Sequence, residues 1–85
     1  MPRFFFEMID GDTQFPDTEG TELTDAAAAR EEALRALGER VHYELPDGDR
    51  REFIVRVLDD QAEPVVTATL SLRVTYPDTH RRPNT

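Results

Sequence analysis

Six carboxylates lie close together near the start of the chain: Asp10, Asp12, Asp17, Glu19, Glu22 and Asp25. Such a run could bind a hard cation, since calcium takes about six to eight oxygen ligands. The spacing fails the known calcium loop, because Phe15 stands where that loop needs glycine. The plainer reading is turn chemistry followed by a helix cap, with a carboxylate-rich cation binder as an alternative. His42 and His80 are the two histidines, short of the about three or four ligands of a zinc site. Ser71 is the one serine, and the chain has neither cysteine nor lysine. Ser71 lies in a strand pattern without a nucleophile elbow. The glycines at 11, 20, 38 and 48 are isolated, so no phosphate-binding loop forms. Arg50-Arg51 and Arg81-Arg82 are basic doublets without an aromatic stacking platform. These residues predict a protein that is not an enzyme, with no catalytic, cofactor or metal site.

Charge and size point the same way. The net charge is −8, and residues 1–49 carry 13 acidic against 4 basic side chains while residues 50–85 carry 5 against 6. An acidic chain is repelled by nucleic acid and by anionic lipid. Eighty-five residues, 38% of them hydrophobic, allow one small core and no deep cleft for a small-molecule substrate. The apolar run Phe4-Phe5-Phe6 is shorter than the about 7–15 residues of a secretory signal core, and no stretch approaches the ~20 residues of a membrane span. Together with the absence of cysteine, this predicts a cytoplasmic protein.

The elements follow from periodicity and turn signals. Arg3 to Asp10 reads as a strand ended by Asp10-Gly11-Asp12, with Phe4, Phe6 and Met8 on one face and Phe5, Glu7 and Ile9 on the other. Both faces are apolar, so the pattern alone does not choose the inward one. Thr13 to about Pro16 is a short return strand, which Pro16 either places at an edge or ends. Asp17-Thr18-Glu19-Gly20 has turn composition. Thr24 or Asp25 caps a helix over about 25–44, with Leu23 packing on its first turn. Its apolar stripe is Ala26, Ala29, Ala33, Leu37 and Val41, widened by Leu34 and Leu45. Glu31 and Arg35 are spaced for an ion pair. Gly38 marks either a close approach to the sheet or a helix break. Pro46-Asp47-Gly48 ends the helix. Arg51 to Leu58 and Pro64 to Tyr76 then alternate as strands around a loop over 59–63. Residues 77–85 read as a flexible tail.

This order predicts a single α+β domain over residues 1–76: a two-layer ββαββ unit whose four-stranded antiparallel sheet carries one helix on one face. The far face would then hold Phe5, Ile9, Ile54 and Leu58, more apolar surface than a solvated face needs.

The opening Met1-Pro2-Arg3-Phe4-Phe5-Phe6, the Asp10-Gly11 turn, the segment Asp17-Thr18-Glu19-Gly20-Thr21-Glu22-Leu23 and the Ala-rich helix resemble a family of short bacterial proteins of unknown function. Its members begin Met-Pro-Arg-aromatic-Phe-Phe and carry Asp-x-x-Gly-x-Glu-Leu before an Ala- and Glu-rich helix. The resemblance extends to about Tyr76 and implies no activity and no functional residues. A looser likeness, at the level of scaffold, is to HicB-type antitoxins, through Pro16-Asp17-Thr18-Glu19-Gly20. The two strong strands after the helix and the lack of an appended DNA-binding region depart from that scaffold.

The sequence therefore predicts a small non-catalytic interaction or regulatory module, acting through a sheet face or edge as a homodimer or with another protein. Phe5, Ile9, Ile54 and Leu58 are the candidate contacts. The alternative is an antitoxin-like inhibitor whose acidic surface fills a basic site.

Overall fold

The computed structural model of the chain describes residues 1–43 and 48–77. Its elements run β1 (Arg3–Asp10), β2 (Thr13–Phe15), β3 (Thr21–Glu22), α1 (Ala26–Tyr43), β4 (Arg50–Leu58) and β5 (Pro64–Arg73). All pairings are antiparallel, in the order β2-β1-β4-β5, with β3 on the first residues of β1. Among the described residues the fold is α+β with one helix, as the periodicity predicts, but the sheet has five strands instead of four. The extra strand is β3, two residues that pair with Arg3 and Phe4. It is too short to show an alternation in sequence, and long-range contacts hold it. Arg3 donates from Nη1 to the Glu19 carbonyl at 2.7 Å and from Nη2 to Glu22 Oε1 at 3.0 Å. The Leu23 amide extends the ladder to the Pro2 carbonyl at 3.0 Å.

Register decides which face of β1 turns inward. Phe6, Met8 and Asp10 stand opposite Val57, Val55 and Phe53, and those three β4 residues are buried. The even-numbered side chains of β1 thus share the helix side with Phe53, Val55 and Val57. On β5 the partners of these are Leu70, Ala68 and Val66. The core is closed from above by Ala29, Ala33 and Leu37, all buried with Phe4. Alanines at successive turns let the helix axis come close to the sheet, so little apolar area per residue still excludes water.

The helix begins where a cap exists. Asp25 Oδ1 accepts the Ala28 amide at 2.9 Å, and the Asp25 carbonyl accepts the Ala29 amide at 3.1 Å, so Asp25 and not Thr24 is the cap. Arg40 lies in the last turn, where positive charge suits the helix dipole. Three expectations for this helix are corrected. Ala26 and Leu34 are exposed, because the sheet meets only the narrower stripe Ala29, Ala33 and Leu37, flanked by Ala36 and Val41. Arg35 pairs with Glu32, one turn position nearer than Glu31. Gly38 is neither a close approach nor a break: the helix continues through it, and a Cβ there would meet nothing within 4 Å.

The β4–β5 hairpin is closed by Asp59, whose Oδ1 accepts the amides of Gln61 and Glu63 at 2.8 and 2.9 Å. Ala62 adopts φ 63° to complete this turn. β5 ends at Arg73, short of the expected Tyr76, although the Val74 amide still reaches the Asp49 carbonyl at 2.7 Å. Leu45, His80 and the expected tail beyond Pro77 lie outside the described residues.

Candidate functional site: the open face of the sheet

One face of the sheet carries the helix. On the other, among the described residues, no element packs. β1 and β4 supply its centre, and their register sets the side chains in three rows. Phe5 stands opposite Leu58, Glu7 opposite Arg56, and Ile9 opposite Ile54. All four apolar residues singled out from the sequence thus fall on this face, as two cross-strand pairs, and each is half-buried. Between them Arg56 donates from Nε to Glu7 Oε1 at 3.0 Å, and its Nη2 reaches the same oxygen. Alternation had put Glu7 and Arg56 on this side, but only the register shows that they pair. The result is a band of charge, internally neutralised, between two apolar rows. β5 borders it with Thr67, Thr69 and Ser71, opposite Arg56, Ile54 and Glu52.

Of the six carboxylates in the acidic segment, Asp10, Asp17, Glu22 and Asp25 are engaged otherwise. Asp10 is 6% exposed on the helix side. It accepts from Arg51 Nε at 2.8 Å and from Arg40 Nη2 at 2.8 Å. These hydrogen bonds, Arg51 first and Arg40 second, hold its carboxyl below the usual carboxylate range against the effect of burial. The Arg40 guanidinium also lies 5.2 Å from the ring centre of Phe15, and that of Arg51 lies 5.9 Å from that of Phe53. Phe15, 44% exposed, therefore shields an ion cluster at its edge and contributes little to the apolar core.

Asp17 serves the backbone. Burial pushes its carboxyl up, yet the amides of Phe6, Gly20 and Glu19 together outweigh this and hold it below the usual value. Oδ2 accepts from Phe6 at 3.0 Å, and Oδ1 accepts from Gly20 at 3.0 Å and Glu19 at 3.1 Å. Asp25 is the helix cap. Among the described residues no group of His, Asp and Glu side chains is gathered as a metal site would require. His42 is exposed on the helix, and Ser71 Oγ donates to Glu52 at 3.4 Å, with no histidine beside it among the described residues.

Shallow hollows also lie on the surface of the described residues. One of about 380 Å³ is lined by Arg50, Arg51, Glu52, Ser71, Leu72 and Arg73. Another, of about 230 Å³, lies between sheet edge and helix beside Phe6, Asp17, Glu32, Arg35 and Glu39. No helix is long and apolar enough to cross a membrane among the described residues.

The chain matches no curated protein and no solved structure, and the looser likeness to HicB-type antitoxins is not shown by these comparisons. A family model does match, over residues 3–71, which takes in all of β1 to β4 and most of β5. The chain belongs to the family described as domain of unknown function DUF6894.

Proposed function

We propose that the protein is a cytoplasmic, non-catalytic interaction module that binds another protein through the open face of its sheet. The observation that carries this reading is the pairing of Phe5 with Leu58 and of Ile9 with Ile54 on a face that the helix does not cover. Paired apolar rows of this kind lose water-exposed area on contact with a complementary surface. The Glu7–Arg56 pair between them fixes orientation, because its two charges already neutralise each other and need no partner charge to be buried beside. A chain without cysteine suits a reducing compartment.

The test compares captures from the native host. Wild type is set against Ile9→Asp/Ile54→Asp and against Arg30→Glu on the exposed side of the helix, each shown folded by circular dichroism. The reading expects a discrete protein retained by wild type and by Arg30→Glu and lost from the double variant. The same set of proteins on all three would overturn it.

A further inference from the structure

At the end of the β4–β5 ladder Arg50 stands opposite Arg73. Just beyond them the Val74 amide donates to the Asp49 carbonyl at 2.7 Å. That makes Val74 and Asp49 a hydrogen-bonded rung. By the alternation of an antiparallel ladder, Arg50 and Arg73 then occupy the other kind of rung, in which facing side chains lie closest. Like charges directly opposite one another disfavour the pair. Each of the other arginines in the sheet meets a carboxylate: Arg3 meets Glu22, Arg51 meets Asp10 and Arg56 meets Glu7. Among the described residues neither Arg50 nor Arg73 takes part in an ion pair, although the chain carries a net charge of −8. Both are exposed, and both line the hollow of about 380 Å³ together with Glu52 and Ser71. The strand alternation puts these four on the open face, with Glu52 and Arg50 continuing the row of Ile54. Glu52 accepts from Ser71 Oγ at 3.4 Å and pairs with neither arginine.

We propose that Arg50 and Arg73 together bind a carboxylate group in this hollow. A guanidinium is a planar fork of donors that matches the two oxygens of a carboxylate. A carboxylate between the two forks turns their mutual repulsion into two attractions. Charge selects the class of ligand. Two cations beside the fixed carboxylate of Glu52 leave one positive charge to be met. A single carboxylate meets it, whereas a dianion such as sulfate exceeds it and is repelled by Glu52. The carboxylate comes either from a free small acid or from an aspartate or glutamate of the protein that covers the open face. The second source rests on the open-face reading; the site itself does not.

The probe is acetate. Labelled protein is titrated with sodium acetate at about pH 6, where acetate is ionised, with chloride holding the ionic strength constant. The arginine Nε–H signals are followed by NMR. Those of Arg50 and Arg73 should shift together and saturate, with half-saturation at about 10 mM. Arg30 is exposed and likewise in no ion pair among the described residues. It is the internal control and should show only the linear drift of a lone arginine. Arg50→Gln and Arg73→Gln remove no ion pair, so both should fold, and each should weaken acetate binding about tenfold. Sulfate should bind more weakly than acetate, and Glu52→Gln should reverse that order. Shifts at Arg50 and Arg73 that are linear and no larger than at Arg30, or an Arg73→Gln variant that titrates like wild type, would overturn the site. Sulfate binding more tightly than acetate to wild type would overturn the assignment to a carboxylate. Capture from the native host with Arg50→Gln/Arg73→Gln then separates the sources: loss of the protein that wild type retains assigns the carboxylate to that protein, and unchanged retention assigns it to a free acid. The acetate titration needs no partner, so a failure of the open-face reading leaves its result standing.

Discussion

The Phe6 amide donates to a carboxylate oxygen of Asp17 at 3.0 Å, at the point where the edge alongside β1 is interrupted between β2 and β3. A continuous strand would offer a main-chain carbonyl there. Pro16 turns the chain away, and the Asp17 side chain takes the carbonyl's place while its other oxygen closes the turn. Asp17→Ala should leave the Phe6 amide without its acceptor and cost about 2 kcal/mol. Asp17→Asn, which keeps an oxygen, should lose less, and Thr18→Ala should be near neutral. Urea unfolding of the three variants measures this.

Two glycines should respond to alanine with opposite signs. Gly20 has φ +75°, and a Cβ on it would lie 2.8 Å from Arg3 Cγ and 2.9 Å from Phe5 Cε2. Gly20→Ala should cost more than the about 1–2 kcal/mol of left-handed backbone alone and should disturb the Arg3–Glu22 clamp. Gly38 is helical, exposed and unobstructed, so Gly38→Ala should stabilise by about 0.5–1 kcal/mol. Thermal unfolding reads both.

Stability should fall in acid for a definite reason. Asp10 and Asp17 both have carboxyls held below their ordinary value of 3.8. A depressed native pKa contributes stability that is fully present above 3.8 and is lost as pH falls through the native values. Unfolding free energy should therefore be flat near neutrality on account of these groups and decline below about pH 4. Asp10→Asn should be less stable at pH 7 by about 2 kcal/mol, and its gap from wild type should narrow as pH falls. A gap constant down to pH 3 would contradict the role given to the Asp10 carboxylate; denaturant titrations at a series of pH values decide it.

The Glu7–Arg56 pair lies between two apolar rows and is partly exposed, so its contribution to folding should be small. Arg56→Gln should change stability by less than about 1 kcal/mol. Its effect on partner binding should be larger, because the charge left on Glu7 would be covered without its neutraliser. Unfolding and binding measured on the same variant separate the two.

Much of this was legible in the residues. The alternation along β5, a helix cap at Thr24 or Asp25 and the apolar set Phe5, Ile9, Ile54 and Leu58 follow from period and residue type, which are local. What could not be read depends on register. The inward face of β1 is chosen by pairing Met8 with Val55, not by composition, since Phe4 and Phe5 are equally apolar. β3 exists because Arg3 reaches Glu19 and Glu22 across 16 and 19 residues. The acidic run resembled a ligand set because carboxylates look alike in sequence, whether they will meet a cation, two arginines or three amides. The segment Asp17-x-x-Gly20-x-Glu22-Leu23, which carried the family resemblance, is used throughout for building this edge.

The most direct measurement places a photo-crosslinking phenylalanine analogue at Ile54 in the chain expressed in its native host, with a second at Arg30 as control. Contact through the open face predicts a discrete covalent adduct with another protein from position 54 that position 30 does not give. Equal, diffuse labelling from both positions, or none from Ile54, would contradict the account.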